Sequence, residues 1–76
     1  MNTVKLEMIK EIVNGMLKGN VEHNYFNNGD FNKENFDDMF SYKWDKYWLK
    51  TPSDKVVEVA QDYFLAQLFL KSRKIN

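Results

Sequence analysis

Residues 34–49 read ENFDDMFSYKWDKYWL and hold both tryptophans, two of the six phenylalanines and two of the four tyrosines of the chain. Successive residues of a helix are turned by about 100°. On that spacing Met39, Phe36, Tyr47, Phe40, Trp44 and Trp48 follow one another around half of a cylinder, and Asp38, Ser41, Asp45 and Lys46 occupy the other half. The stretch is therefore an amphipathic helix. Its apolar arc is wider than the roughly 100° stripe that one core contact needs. Either two neighbouring helices share the arc, or Trp44 and Trp48 at its edge contact another molecule, as tryptophan often does at interfaces.

The helix has a start signal on its N-terminal side. Asn32 is placed as N-cap, Phe31 and Phe36 can close a hydrophobic staple across the first turn, and Glu34 lies where the helix dipole favours an anion. On its C-terminal side Pro52 disfavours helical angles at the residue before it. Thr51 is then expected to cap a further helix with Pro52 at its first position and Asp54 in a capping-box-like place. The two helices are joined by so few residues that they must form a corner or an antiparallel hairpin.

That last helix, near 52–72, changes character along its length. In its first half Val56, Val57, Val59, Ala60, Tyr63 and Phe64 make one face and Lys55, Glu58, Gln61 and Asp62 the other. Beyond Tyr63, Leu65 and Phe69 fall on the side of Glu58, Gln61 and Asp62, so this part is apolar all round and is expected to be covered by a core or an interface. Lys71, Arg73 and Lys74 suit its negative end. Near the N-terminus, Val4, Met8, Ile9, Ile12, Val13, Met16 and Leu17 recur at three- and four-residue spacing and predict a helix over 4–18, which Gly19-Asn20 can end. Between the first two helices, NVEHNYFNNGDFN (20–32) reads as an ordered loop pinned by Tyr25, Phe26 and Phe31, with a short hairpin about Asn28-Gly29 as the alternative.

The expected architecture is all-α: one domain over 1–76, with three helices near 4–18, 33–49 and 52–72 and an aromatic-rich loop (20–32). The expected core is Met8, Ile12, Met16, Phe36, Phe40, Tyr47, Val56, Ala60, Phe64 and Leu68. A chain of 76 residues buries only about 60% of its unfolded surface, so small domains of this size are marginal without added support. With no cysteine, disulfides and thiolate metal sites are excluded, which leaves oligomerisation among the usual supports.

Eleven basic residues against eleven acidic ones leave no net field to draw in nucleic acid or an anionic membrane. No apolar run reaches the roughly 18 residues needed to span a bilayer, and 1–19 lacks the apolar centre of a signal peptide. The expected compartment is cytoplasmic. Ten lysines to one arginine and nine asparagines are what AT-rich codons supply, and AT-rich genomes include many phages and low-GC bacteria.

Residues 24–40, NYFNNGDFNKENFDDMF, resemble an EF-hand loop with its exiting helix: Gly29 fits the sixth loop position, Phe31 the apolar eighth, and Phe36 and Met39 the following core positions. The ligand positions fall on Asn24, Phe26, Asn28 and Asn35, where calcium requires carboxylates, so no metal is expected. His23, near Glu22 and Asp30, lacks the orienting partner and nucleophile of a catalytic histidine. No catalytic residue and no cofactor are expected.

Two functions stand against each other. The first is a non-enzymatic protein–protein interaction module, a phage or mobile-element accessory protein that inhibits or modulates a host protein or pairs with a second copy of itself, with Trp44, Trp48, Leu65 and Phe69 at the interface. The alternative is a small nucleic-acid-binding regulator, for which Tyr42, Lys43, Trp44, Lys46, Tyr47, Trp48 and Lys50 interleave bases with stacking rings. Asp54, Glu58 and Asp62 on the following helix disfavour a recognition helix.

Overall fold

The computed structural model describes residues 2–73, with no side-chain description for Arg73; Lys74 of the expected basic terminus lies outside them. The chain is mostly helical. Its elements are α1 (Thr3–Met16), α2 (Val21–Tyr25), β1 (Phe26–Asn27), β2 (Asp30–Phe31), α3 (Lys33–Trp48) and α4 (Asp54–Arg73). Helix α1 packs on both α3 and α4, α3 packs on α4, and α2 packs on α3.

Asparagine side chains start three of the helices. Asn2 accepts from the Lys5 amide at 2.8 Å, Asn20 from His23 at 3.1 Å and Asn32 from Asn35 at 3.1 Å, each satisfying one of the orphan amides of a first turn. Helix α4 is capped by Ser53 in place of the expected Thr51. The Val56 amide donates to the Ser53 hydroxyl at 3.2 Å and the Val57 amide to the Ser53 carbonyl at 3.1 Å. Pro52 then precedes the cap, and it is buried. Moving the cap by two residues places an apolar ring against the core and leaves the polar Thr51 exposed.

The 20–32 segment is not a loop. A single turn of helix leads into a two-residue antiparallel ladder, Phe26 opposite Phe31 and Asn27 opposite Asp30. Asn28 at φ 52° and Gly29 at φ 92° reverse the chain between them, the left-handed pair that a tight hairpin requires. Short as the ladder is, rings hold it. Phe31 lies 5.7 Å from Phe26, 5.8 Å from Phe36 and 5.8 Å from Phe64, and Tyr25 meets Phe36 and Phe64 edge-on at 6.1 and 5.4 Å. The expected Phe31–Phe36 staple is thus present, and it also ties the hairpin to α4.

The core is Ile9, Ile12, Val13, Met16, Tyr25, Phe36, Phe40, Trp44, Val56, Ala60 and Phe64. Seven of the ten expected core residues are among them; Met8 and Leu68 are half-buried against the core, and Tyr47 is 56% exposed. The reason for the Tyr47 miss lies in the row that α3 buries. Phe36, Phe40, Trp44 and Trp48 stack in sequence with centroids 6.0, 5.8 and 5.6 Å apart. Such an i, i+4 ridge drifts by about 40° at each step. By the last turn the drift has carried the buried side from the line of Phe36 to that of Trp48, and Tyr47 is left facing out.

Candidate interaction surface

Of the four residues expected at an interface, Trp44 belongs to the core. It is 1% exposed, between Phe40 and Trp48, because the two-helix explanation of the wide α3 arc is the one the packing follows. Trp48 is half-buried beside it. Neither indole nitrogen has a hydrogen-bond partner. Leu65 and Phe69 do stand on the surface, 40% and 60% exposed.

Around these two the structure adds three residues that sequence reasoning did not assign to a surface. A groove of about 350 Å³ between the α2–hairpin segment and α4 is lined by Val21, Glu22, Phe26, Gly29 and Leu68. Leu68 lies three residues after Leu65, and Phe69 four after it, so the three side chains adjoin on α4. Val21 and Phe26 share their groove with Leu68, the α4 residue that adjoins Leu65 and Phe69. The α2–hairpin segment reaches α4 on the Leu68 side, while Leu65 and Phe69 stay 40% and 60% exposed. Only the hairpin register places Phe26 beside α4, and that register depends on the Asn28-Gly29 turn, which was the signal available.

A second concavity, of about 390 Å³, lies on the other side of α2 and is lined by His23, Asn24, Tyr25, Asn35, Asp38, Met39 and Tyr42. Here Asn35 Nδ2 donates to the Asn24 carbonyl at 3.2 Å. These are the first and last ligand positions of the EF-hand resemblance, and they meet as donor and acceptor. His23 is separated from Glu22, which faces the opposite groove. Among the described residues no three His, Cys, Asp or Glu side chains gather closely enough to hold a metal ion, and no helix is long and apolar enough to cross a membrane.

The stacking rings expected for nucleic acid are divided. Trp44 is in the core and Trp48 half-buried, while Tyr42 and Tyr47 face out at 62% and 56% exposure. The Tyr42 ring carries the Lys46 ammonium 5.2 Å from its centroid. The two ion pairs among the described residues, Lys10 with Glu7 and Lys55 with Glu58, are solvated i, i+3 contacts of the kind that adds little to stability. No family model, no curated protein and no solved structure matches this chain.

Proposed function

We propose that the protein is a non-enzymatic interaction module that acts by seating the α4 face on another protein. The observation that carries this reading is the exposure of Leu65 and Phe69 beside the Val21–Phe26–Leu68 groove. Leu65 and Phe69 are 40% and 60% exposed, so covering both contributes about as much as fully burying one large apolar side chain, about 1.5–3 kcal/mol, a substantial fraction of the roughly 3–5 kcal/mol that a core of this size supplies. A host protein bound by a small phage-type accessory factor, or a second copy of the chain, fits such a face.

The nucleic-acid alternative draws its support from Lys43, Lys46, Tyr42 and Tyr47. It is the weaker reading, because the two largest rings are turned inward and the chain has no net charge. The test is a Leu65→Glu, Phe69→Lys double variant compared with the parent in chemical cross-linking within the source cells and in light scattering. The expected result is a helical, folded variant that loses a cross-linked protein or a dimer formed by the parent. Identical cross-linking and scattering of parent and variant would overturn the reading, as would unfolding of the variant, which would make the pair part of the core. Binding that falls steeply with salt would favour the nucleic-acid alternative, since phosphate contacts release counterions.

A further inference from the structure

We propose that Asn28 is a site of spontaneous covalent modification, at which the backbone amide of Gly29 converts the Asn28 side chain, through a cyclic imide, to aspartate and isoaspartate. The proposal does not rest on the function assigned to the α4 face. The chain contains Asn-Gly twice, at 14–15 and at 28–29. Glycine favours this reaction because it has no side chain to hinder the approach of its own nitrogen, so by sequence the two sites are equivalent. The structure separates them. Asn14 and Gly15 lie inside α1 (Thr3–Met16), where each amide is committed to the carbonyl four residues back, and the Asn14 side-chain oxygen accepts from the Tyr63 hydroxyl at 3.3 Å. Asn28 and Gly29 form the exposed tip of the hairpin, at φ 52° and φ 92°. Neither the Asn28 side chain nor the Gly29 amide makes a hydrogen bond among the described residues.

In the reaction the Gly29 nitrogen gives its proton to water or hydroxide and bonds to Asn28 Cγ. The Cγ–Nδ2 bond breaks, and ammonia leaves with a proton taken from solvent. Water then opens the imide. Cleavage of the new bond between the nitrogen and Cγ yields aspartate, and cleavage of the bond between the nitrogen and the Asn28 main-chain carbonyl carbon yields isoaspartate. Water is taken up and ammonia released in equal amount, with no change of oxidation state. Ring closure requires the left-handed angles to relax. The ladder that holds them has two residues on each strand, and its ring contacts begin only at Phe26 and Phe31, outside the turn. Such a turn opens locally, whereas reaction at Asn14 waits for α1 to unwind. The products differ in consequence. Aspartate before glycine suits the same tight turn. Isoaspartate routes the main chain through Cβ and Cγ, a methylene longer, so the pairing of Phe26 with Phe31 and of Asn27 with Asp30 is lost. Phe26 and Gly29 line the groove against α4, and that groove changes shape with the pairing.

The test incubates the full chain in mildly alkaline heavy-oxygen water, with and without urea, and follows positions 14 and 28 by peptide mass spectrometry with fragmentation that distinguishes isoaspartate from aspartate. Without urea, Asn28 is expected to convert at least about tenfold faster than Asn14, because one site opens locally and the other only with its helix. In urea, which releases both dipeptides from structure, the two rates should converge. The isoaspartate form, separated by chromatography, is expected to lose the nuclear Overhauser contact between the Phe26 and Phe31 rings while its helices persist. Asn28→Asp is expected to keep that contact, and Asn28→Gly to abolish conversion at this position while Gly-Gly retains the turn. The proposal is overturned by equal rates at the two sites in the folded chain, by conversion of Asn28 in urea alone, or by a Phe26–Phe31 contact that survives in the isoaspartate form.

Discussion

Replacing Leu49 with glycine is expected to stabilise this protein, although the substitution removes a large apolar side chain. Leu49 ends α3 at φ 55°, ψ 37°, and its amide donates back to the Asp45 carbonyl at 2.7 Å. A side chain with a Cβ in this left-handed conformation costs roughly 1–2 kcal/mol, which glycine relieves. Two losses oppose the gain. Glycine adds freedom to the unfolded chain, worth about 0.4–1 kcal/mol. Leu49 is also 86% exposed, so only about a seventh of its burial value is forfeited, roughly 0.3 kcal/mol. The balance favours glycine by about 0.5 kcal/mol, equivalent to a rise of about 2–4 °C in melting temperature for a domain of this size. Leu49→Ala keeps the strained backbone and loses the same small contact, so it should melt slightly below the parent. Thermal and urea unfolding followed by helical circular dichroism give the comparison. If the glycine variant is no more stable than the alanine variant, Leu49 does not close α3 in a left-handed turn, and the reasoning about the α3–α4 corner fails with it.

Three further outcomes are expected. Ser53→Ala should cost about 1 kcal/mol as a lost N-cap while Thr51→Ala changes stability little, read from urea midpoints; the reverse order would restore Thr51 as the cap. Trp44→Phe should lie within about 1 kcal/mol of the parent, because it removes a buried unpaired N–H worth about 1–3 kcal/mol along with some packing, whereas Phe40→Ala should cost about 3–5 kcal/mol. Burial raises the Tyr25 pKa above its ordinary 10.0, so above that pH the unfolded chain loses this proton first and stability falls as pH rises. The Tyr25→Phe variant should show a shallower loss in urea unfolding between pH 10 and 11, and an unchanged slope would show that burial of this phenol does not contribute.

Helices were legible in the sequence wherever one face was repeated over several turns. The boundaries 4–18, 33–49 and 52–72 come within two residues of those observed, because periodicity and asparagine caps act locally. Two features did not yield to local reasoning. The α2–hairpin segment has a ladder two residues long, too short for alternation to register, and it is held by contacts of Tyr25 and Phe31 with rings distant in sequence. The inward turn of Trp44 and the outward turn of Tyr47 depend on the crossing of α3 with its neighbours, and a wheel drawn for a straight isolated helix has no term for that crossing. At the candidate surface, Leu65 and Phe69 could be found because they interrupt an otherwise polar face. Val21, Phe26 and Leu68 could not, since their adjacency exists only once the hairpin has formed.

The same segment separates two concavities of this small chain. Along residues 21–31, Val21, Glu22, Phe26 and Gly29 line the groove against α4, while His23, Asn24 and Tyr25 line the cleft against α3. Residues 21–31 therefore line both concavities. The segment's anchor is the cluster of Tyr25, Phe31, Phe36 and Phe64, in which the Phe36 and Phe64 centroids are 4.8 Å apart. Phe36 belongs to α3 and Phe64 to α4, so the contact that joins the two long helices also positions the segment between them. Aromatic packing in this chain thus does more than fill a core: it fixes where the groove against α4 ends and where the cleft against α3 begins.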